Sequence, residues 1–189
     1  MQIATETAVV LAMMAFVAII MARNELIVRR NAVDNAFAGI DTQLTKRYDL
    51  IPNLVTVVKQ YAQHENETLR ALGELRAQAM RSGLSTDDRV RLNNQIDRGL
   101  SGVLATSENY PQLRASENFQ QLQRGLNEVE EQIAASRRAF NAAVNDFNNA
   151  VTQFPLSFVA GLTGFRPHAY SEATGESRQA MDTRAQLNS

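Results

Sequence analysis

The sequence predicts an all-α protein in which an N-terminal transmembrane helix continues into a long antiparallel four-helix bundle. Three observations lead to this prediction: an uncharged apolar run near the N terminus, helical spacing of apolar residues through most of the chain, and an unbroken heptad in the last helical stretch. We expect residues 1–22 to form the anchor, 23–155 the bundle, 156–166 an apolar loop and 167–189 a polar tail. A chain of 189 residues has room for one domain with an appended segment.

The composition narrows the possible functions. The 19 basic and 20 acidic side chains nearly cancel, which argues against a nucleic-acid partner because phosphate binding needs a basic face. The absence of cysteine excludes a disulfide scaffold and thiolate metal sites. His64-Glu65 lacks the second histidine that a helical zinc motif places one turn later, where this chain has Thr68. We therefore expect no enzymatic activity, no catalytic residues, no metal and no cofactor.

The apolar run predicts an uncleaved membrane anchor. No charge occurs from Thr7 to Ala22, and as a helix Ala8–Ala22 spans only ~22 Å, against about 30 Å for a typical hydrocarbon core. A secretory signal peptide is disfavoured because Glu6 is the only charge before the run. The remaining alternative is a buried helix of a soluble core. The anchor side chains are Val9, Val10, Leu11, Met14, Phe16, Val17, Ile19 and Ile20.

The charges beside the run predict its orientation. Arg23, Arg29 and Arg30 follow it, while no Lys or Arg precedes it. By the positive-inside rule the N terminus faces outward and the bundle faces the cytoplasm, in a single-pass arrangement.

Four helical stretches follow one another. The first carries Leu26, Val33, Phe37, Ile40 and Leu44, and Pro52 ends it or starts the second. The second reaches about Arg81 and closes at Ser82-Gly83. Ser85 followed by Asp88 predicts the N-cap of the third stretch, which Tyr110-Pro111 breaks.

The fourth stretch has the clearest pattern. Apolar residues fall seven apart without a miss, which predicts a helix packed at a shallow angle against its partners. An aromatic cofactor box is the alternative interpretation, and the bundle core is strongly favoured over it. Pro155 ends this helix. The predicted core residues are Phe119, Leu126, Ile133, Phe140, Phe147 and Phe154.

Alternating helix directions bring the end of the fourth stretch back towards the membrane. The apolar loop after it contains no charge before Arg166. Two interpretations stay open: its large apolar side chains dip into the membrane interface, or they cover the open end of the bundle. These side chains are Leu156, Phe158, Leu162 and Phe165.

One acidic residue falls on a predicted apolar seam. Glu65 lies seven residues after Val58 and seven before Leu72, and a carboxylate there is costly unless it is paired. We expect Arg137 or Arg138 to pair with it in a buried ion pair that sets the helix register.

Several blocks of the chain resemble the LemA family of bacterial membrane-anchored proteins. They are the segment 40–54, which ends in Asp-Leu-Ile-Pro-Asn-Leu, the segments 58–65 and 108–119, and the Phe-Asn pairs at 140–141 and 147–148. The resemblance spans roughly residues 24–165. Family members commonly have Tyr-Asn in place of these Phe-Asn pairs and often Trp at position 37, changes that keep the aromatic volume.

The resemblance implies an N-terminal transmembrane helix joined to a helical bundle, in the inner (cytoplasmic) membrane, with no established catalytic residues. One branch of the family takes part in forming magnetosome membranes, and other members are encoded beside membrane proteases. We therefore expect a non-enzymatic scaffold that self-associates and organises or remodels the bilayer. The alternative is a membrane-tethered adaptor that presents a helical groove to a partner membrane protein such as a protease. The expected partners are membrane lipids, further copies of the chain and that membrane protein.

Overall fold

The computed structural model describes residues 2–171, and this range contains helices and their connections but no strand. The predicted all-α class is therefore confirmed. Residues 172–189, most of the predicted polar tail, lie outside the described residues. The helices are α1 (Gln2–Tyr61), α2 (Asn66–Ala79), α3 (Thr86–Ser107), α4 (Pro111–Ala115), α5 (Glu117–Thr152) and α6 (Leu156–Thr163), with a 3-10 turn at Gln63–Glu65.

The described chain forms two compact units, and α1 and α5 contribute to both. Unit 1 contains residues 2–40 and 135–171, and unit 2 contains residues 41–134. In unit 2, four helices surround one apolar core, because α1, α2, α3 and α5 each present a stripe of apolar residues to it. Its buried residues are Tyr48, Ile51, Leu54, Val58, Ala62, Leu69, Leu72, Ile96, Leu100, Val103, Leu113, Phe119 and Leu126.

Unit 1 is built on two antiparallel helices. Phe37 of α1 meets Phe140 of α5 edge-to-face, with ring centroids 5.8 Å apart. Towards the N terminus of α1, Arg29 Nη1 donates a hydrogen bond to the Asp146 carbonyl at 3.5 Å. The buried residues are Leu26, Val33 and Ile40 of α1, Phe140, Val144, Phe147, Ala150 and Val151 of α5, and Val159 and Ala160 of α6.

Helix α1 passes through Pro52, so the prediction that Pro52 ends the first helix or starts the next is wrong. Proline lacks the N–H that would bond the carbonyl four residues earlier, which here belongs to Tyr48. Arg76 of α2 takes the place of that donor: its Nε donates to the Tyr48 carbonyl at 2.7 Å, and its Nη2 lies 3.5 Å from Asp49 Oδ1. A tertiary contact therefore satisfies the carbonyl that proline leaves free.

This contact predicts a specific coupling between Arg76 and Pro52. Arg76→Met is expected to lower the free energy of unfolding by about 1.5–3 kcal/mol, the usual contribution of a hydrogen bond to a charged group. In a Pro52→Ala background the new backbone N–H bonds the Tyr48 carbonyl, so the loss should be smaller by about 1–2 kcal/mol. Urea titrations of the full chain in mild detergent, followed by circular dichroism, measure both values. Equal losses in the two backgrounds would contradict this explanation.

The first break after the apolar run comes after Tyr61, nine positions later than Pro52. Ala62 is fully buried there, and the 3-10 turn leads into α2. The predicted N-cap of α3 is confirmed, because Ser85 Oγ accepts a hydrogen bond from the Asp88 N–H at 3.1 Å. The predicted break at Tyr110-Pro111 is also present, with Pro111 at the start of the short helix α4.

Candidate functional site

The apolar run lies on a part of α1 that no other part of the described chain covers. Every residue from 5 to 21 is exposed, and none of the most apolar window is buried. By length and composition this helix is able to cross a membrane. The predicted anchor residues are all exposed: Val9, Val10, Leu11, Met14, Phe16, Val17, Ile19 and Ile20.

The predicted heptad of α5 is buried only as far as α5 itself extends. Phe119, Leu126, Ile133, Phe140 and Phe147 are each at most 7% exposed. Phe154 is 87% exposed, so its predicted place in the bundle core is wrong. The physical reason is that α5 ends at Thr152. The turn that follows does not continue the helical register that would carry Phe154 to the buried face.

The apolar loop forms helix α6, which has a buried and an exposed side. Val159 and Ala160 are buried, while Phe158 and Leu162 are 64% and 65% exposed. Leu156, which belongs to the same predicted interfacial set, is half-buried and so is less exposed than Phe158 and Leu162. One side of α6 therefore packs on the protein, as the covering interpretation expects, and the other faces outward; insertion into the membrane interface stays a prediction.

Phe165 also departs from the predicted interfacial set. Gly164 ends α6 with a φ of 77°, a left-handed conformation that glycine adopts without strain. The chain turns back there, and the Phe165 ring meets Phe147 of α5 edge-to-face at 6.2 Å. Phe165 is thus half-buried against unit 1 instead of pointing outward.

The segment after α6 is held on α5 by two asparagine side chains. The Asn148 amide forms two hydrogen bonds with the backbone of His168, at 2.9 and 2.8 Å. The Asn141 amide does the same with Ser171, at 3.3 and 2.9 Å. A side-chain amide offers both a donor and an acceptor, so each asparagine satisfies one residue of extended backbone. Residues 168–171 are therefore part of unit 1.

Unit 2 contains a buried charge that the sequence patterns considered above did not reveal. Arg47 of α1 is 2% exposed. Its Nη1 donates to Asp97 of α3 and, at 3.1 Å, to Glu130 Oε2 of α5, and its Nη2 donates to Asn93 Oδ1 of α3. One guanidinium therefore joins three helices, and we call these four residues the Arg47 cluster.

Neighbouring groups complete the surroundings of the Arg47 cluster. The Tyr48 hydroxyl lies 3.5 Å from Asn93 Oδ1, and burial raises the pKa of Tyr48 above its usual value of 10.0. Arg47 Nε and, one turn earlier, Gln43 Oε1 are buried without a hydrogen-bond partner among the described residues. The Nη groups therefore carry the interactions that hold Arg47 in place.

A signal for Arg47 is present in the sequence. Leu26, Val33, Ile40, Arg47 and Leu54 fall seven apart, and all five are buried. An arginine on an apolar heptad needs partners inside the bundle, for the same reason that a carboxylate on the predicted seam at Glu65 needs one. The heptad of α1 therefore marks Arg47 as a charge that must be paired.

Glu65 does not lie on a continuous seam. The spacing that suggested one joins Val58 to Leu72, but these residues belong to α1 and α2, and Glu65 stands in the 3-10 turn between them. It is half-exposed, so the burial that required a partner is absent. Pairing of Glu65 with Arg137 or Arg138 stays a prediction without its original reason.

Among the side chains that the structure describes, no group of three His, Asp or Glu residues is arranged to hold a metal ion. The Arg47 cluster combines one guanidinium with carboxylates and an amide. These groups suit the fixing of helix positions in a bundle.

The sequence model of the LemA family matches residues 36–184 of the chain. The chain belongs to the LemA family. The match begins after the apolar run, so the family region contains the Arg47 cluster, α6 and the segment bound by the two asparagines. The LemA resemblance of 40–54 thus includes the arginine that joins the helices of unit 2.

Named relatives of the chain are consistent with membership of the LemA family. Protein LemA of Metamycoplasma hominis is 26% identical, over 85% of this chain and 74% of the relative. Magnetosome protein MamQ 2 of Paramagnetospirillum magneticum is 21% identical and MamQ of Magnetospirillum gryphiswaldense 20%, each over 85% of this chain and 69% of the relative. LemA family membership supports a membrane-associated helical protein.

Proposed function

We propose that this protein is a non-enzymatic, membrane-anchored helical scaffold that self-associates and organises or remodels the bilayer. The observation that carries the proposal is the continuity of α1. Its exposed apolar residues and its buried seam, which begins at Leu26, belong to one helix without a break. A continuous helix holds the rest of unit 1 in a fixed orientation to the bilayer, as a scaffold requires.

The length of the uncharged run supports self-association. Residues 7–22 carry no charge and span ~24 Å as a helix, less than the hydrocarbon thickness of about 30 Å. A short apolar helix relieves this mismatch by thinning the bilayer or by oligomerising. Either response couples the anchor to the shape of the membrane.

The names of the relatives and the buried polar contacts of unit 2 also support a scaffold. The MamQ relatives are named as magnetosome proteins, which favours a role in organising membranes over one in catalysis. The buried guanidinium of the Arg47 cluster joins helices of unit 2. We therefore propose membrane lipids and further copies of this chain as its partners.

We propose the bacterial inner membrane as the location, with the N terminus outside and the helical units in the cytoplasm. Arg23, Arg29 and Arg30 follow the apolar run. Arg29 is paired with Glu25 at 2.8 Å. Acidic residues count for little in this rule, so the three arginines still favour a cytoplasmic location for the part of the chain that follows the run.

Particle size tests the scaffold. The full-length chain, extracted in mild detergent, is expected to give uniform particles much larger than a monomer by mass photometry and negative-stain imaging. Deleting residues 1–22 should abolish them, because the anchor drives association. Monodisperse monomers of both proteins would overturn the scaffold, and a monomer bound to a distinct membrane protein would identify an adaptor.

A further inference from the structure

Three large apolar side chains form an exposed row at the end of unit 1. Phe154, Phe158 and Leu162 are 87%, 64% and 65% exposed, and they follow one another at intervals of four residues. Phe158 and Leu162 lie one turn apart on the same face of α6. We call these three residues the apolar row.

The apolar row is distinct from the part of α6 that the protein needs for packing. Val159 and Ala160 fill the buried side, and Phe165 covers Phe147. The fold therefore already has its apolar contacts without the row. Exposing three large apolar side chains within nine residues is costly in water and is typical of a surface that contacts a partner.

Helix pairing inside unit 1 places the row near the end of the membrane anchor. Phe37 lies against Phe140, and Arg29 reaches Asp146, so α1 and α5 run antiparallel. Continuing both helices at their common rise brings Thr152, the end of α5, level with about Arg23. Burial gives a similar level, because Ala22 is the first residue of α1 after the run that is not exposed and Leu26 is the first that is fully buried.

We propose that the apolar row inserts into the interfacial layer of the bilayer that α1 crosses, and so forms a second lipid contact. The inference rests on the proposed membrane anchoring. Residues 154–165 carry no charge, Arg166 follows them, and Arg23 lies at about the level of the end of α5, where it is suited to lipid phosphates. Lipid is the occupant that continuity favours, because the row lies where the exposed apolar surface of α1 ends. Contacts at α1 and α6 together fix the tilt and rotation of unit 1 on the membrane.

The chain contains no tryptophan, so a single introduced indole reports on its own site. Phe158→Trp in the full-length chain, reconstituted in phosphatidylcholine–phosphatidylglycerol vesicles, is expected to emit at short wavelength. Lipids brominated near the carbonyl end of the acyl chain should quench it about twofold or more, because interfacial helices lie ~5–10 Å into the headgroup and acyl boundary. Lipids brominated near the terminal methyl group should quench it less.

Two further single-tryptophan variants separate the possible failures. Phe16→Trp tests the anchor and should be quenched most by the deeply brominated lipid. Val90→Trp replaces an exposed apolar residue of α3 and should be insensitive to both lipids. Quenching of Phe16→Trp without quenching of Phe158→Trp would overturn the second contact and leave the anchor intact.

The emission wavelength identifies any other occupant. Short-wavelength emission from Phe158→Trp without quenching means that protein, a second copy or another segment of the chain, covers the row. Long-wavelength emission means that the row stays in water. Either result overturns the proposal, whereas absence of quenching in Phe16→Trp overturns the proposed anchoring itself.

Discussion

Replacing Arg47 with methionine is expected to lower the free energy of unfolding by about 3 kcal/mol, the lower end of the range for breaking a buried ion pair. Asp97 and Glu130 are 31% and 56% exposed and regain water when the guanidinium is removed. Asn93, at 5% exposed, does not and loses its donor. The melting temperature of the full chain in detergent should fall by ~6–12 °C, as measured by circular dichroism.

Arg89 provides a matched control for Arg47. It also joins α3 to α1, with contacts to both Asp41 carboxylate oxygens at 3.0 and 3.2 Å, but it is exposed. Arg89→Met should therefore cost less than about 1 kcal/mol. Equal effects of Arg47→Met and Arg89→Met would contradict the importance of burial. A second check is Arg47→Met combined with Asn93→Leu and Asp97→Leu, which should recover part of the loss because the buried Asn93 amide is removed together with its donor; the Tyr48 hydroxyl loses its Asn93 contact in this variant.

Placing two arginines in the apolar run is expected to remove the protein from the membrane. At the centre of a membrane-spanning helix each arginine costs about 2.5–3.5 kcal/mol, so Leu11→Arg with Met14→Arg should lower membrane insertion by roughly 5,000-fold to 100,000-fold. The measurement is the fraction of full-length protein that stays in the membrane pellet after an alkaline wash. That wash strips peripheral contacts, including any made by the apolar row, and so reports the anchor alone.

Val28→Arg is the control for this experiment. Val28 is also an exposed apolar residue of α1, but it lies beyond the uncharged run. Its replacement should leave the protein in the pellet. Retention of the double variant at the level of Val28→Arg would show that the run does not span the bilayer.

Local patterns in the sequence were sufficient for the all-α class, the apolar run, the α3 cap and most of the α5 core. Each depends on residues close together in the chain. The seven-residue spacing from Phe119 to Phe147 describes one face of one helix, and Ser85 caps the helix that begins at the next residue. The predicted core failed at Phe154, because a heptad count does not show where a helix ends.

Three features depended on contacts between residues distant in the chain. Arg47 shares the heptad of its apolar neighbours, but only Asn93, Asp97 and Glu130, from two other helices, show how its charge is accommodated. Asn141 and Asn148 bind backbone at least 20 residues away. The apolar row also depends on the tertiary structure, which packs Phe165 against Phe147 and leaves Phe154 exposed.

Pro52 shows most clearly the difference between what local sequence predicts and what tertiary contacts decide. By itself, proline inside a helix removes a hydrogen bond and predicts a break at that position. The structure keeps the helix because Arg76, from another helix, donates to the carbonyl of Tyr48 that proline leaves free. The sequence by itself determined the class of structure, the apolar run and the heptad spacing, since these follow from each residue and its near neighbours. The tertiary structure decided that α1 continues past Pro52 and how Arg47 is paired, because both outcomes require a partner brought close by folding.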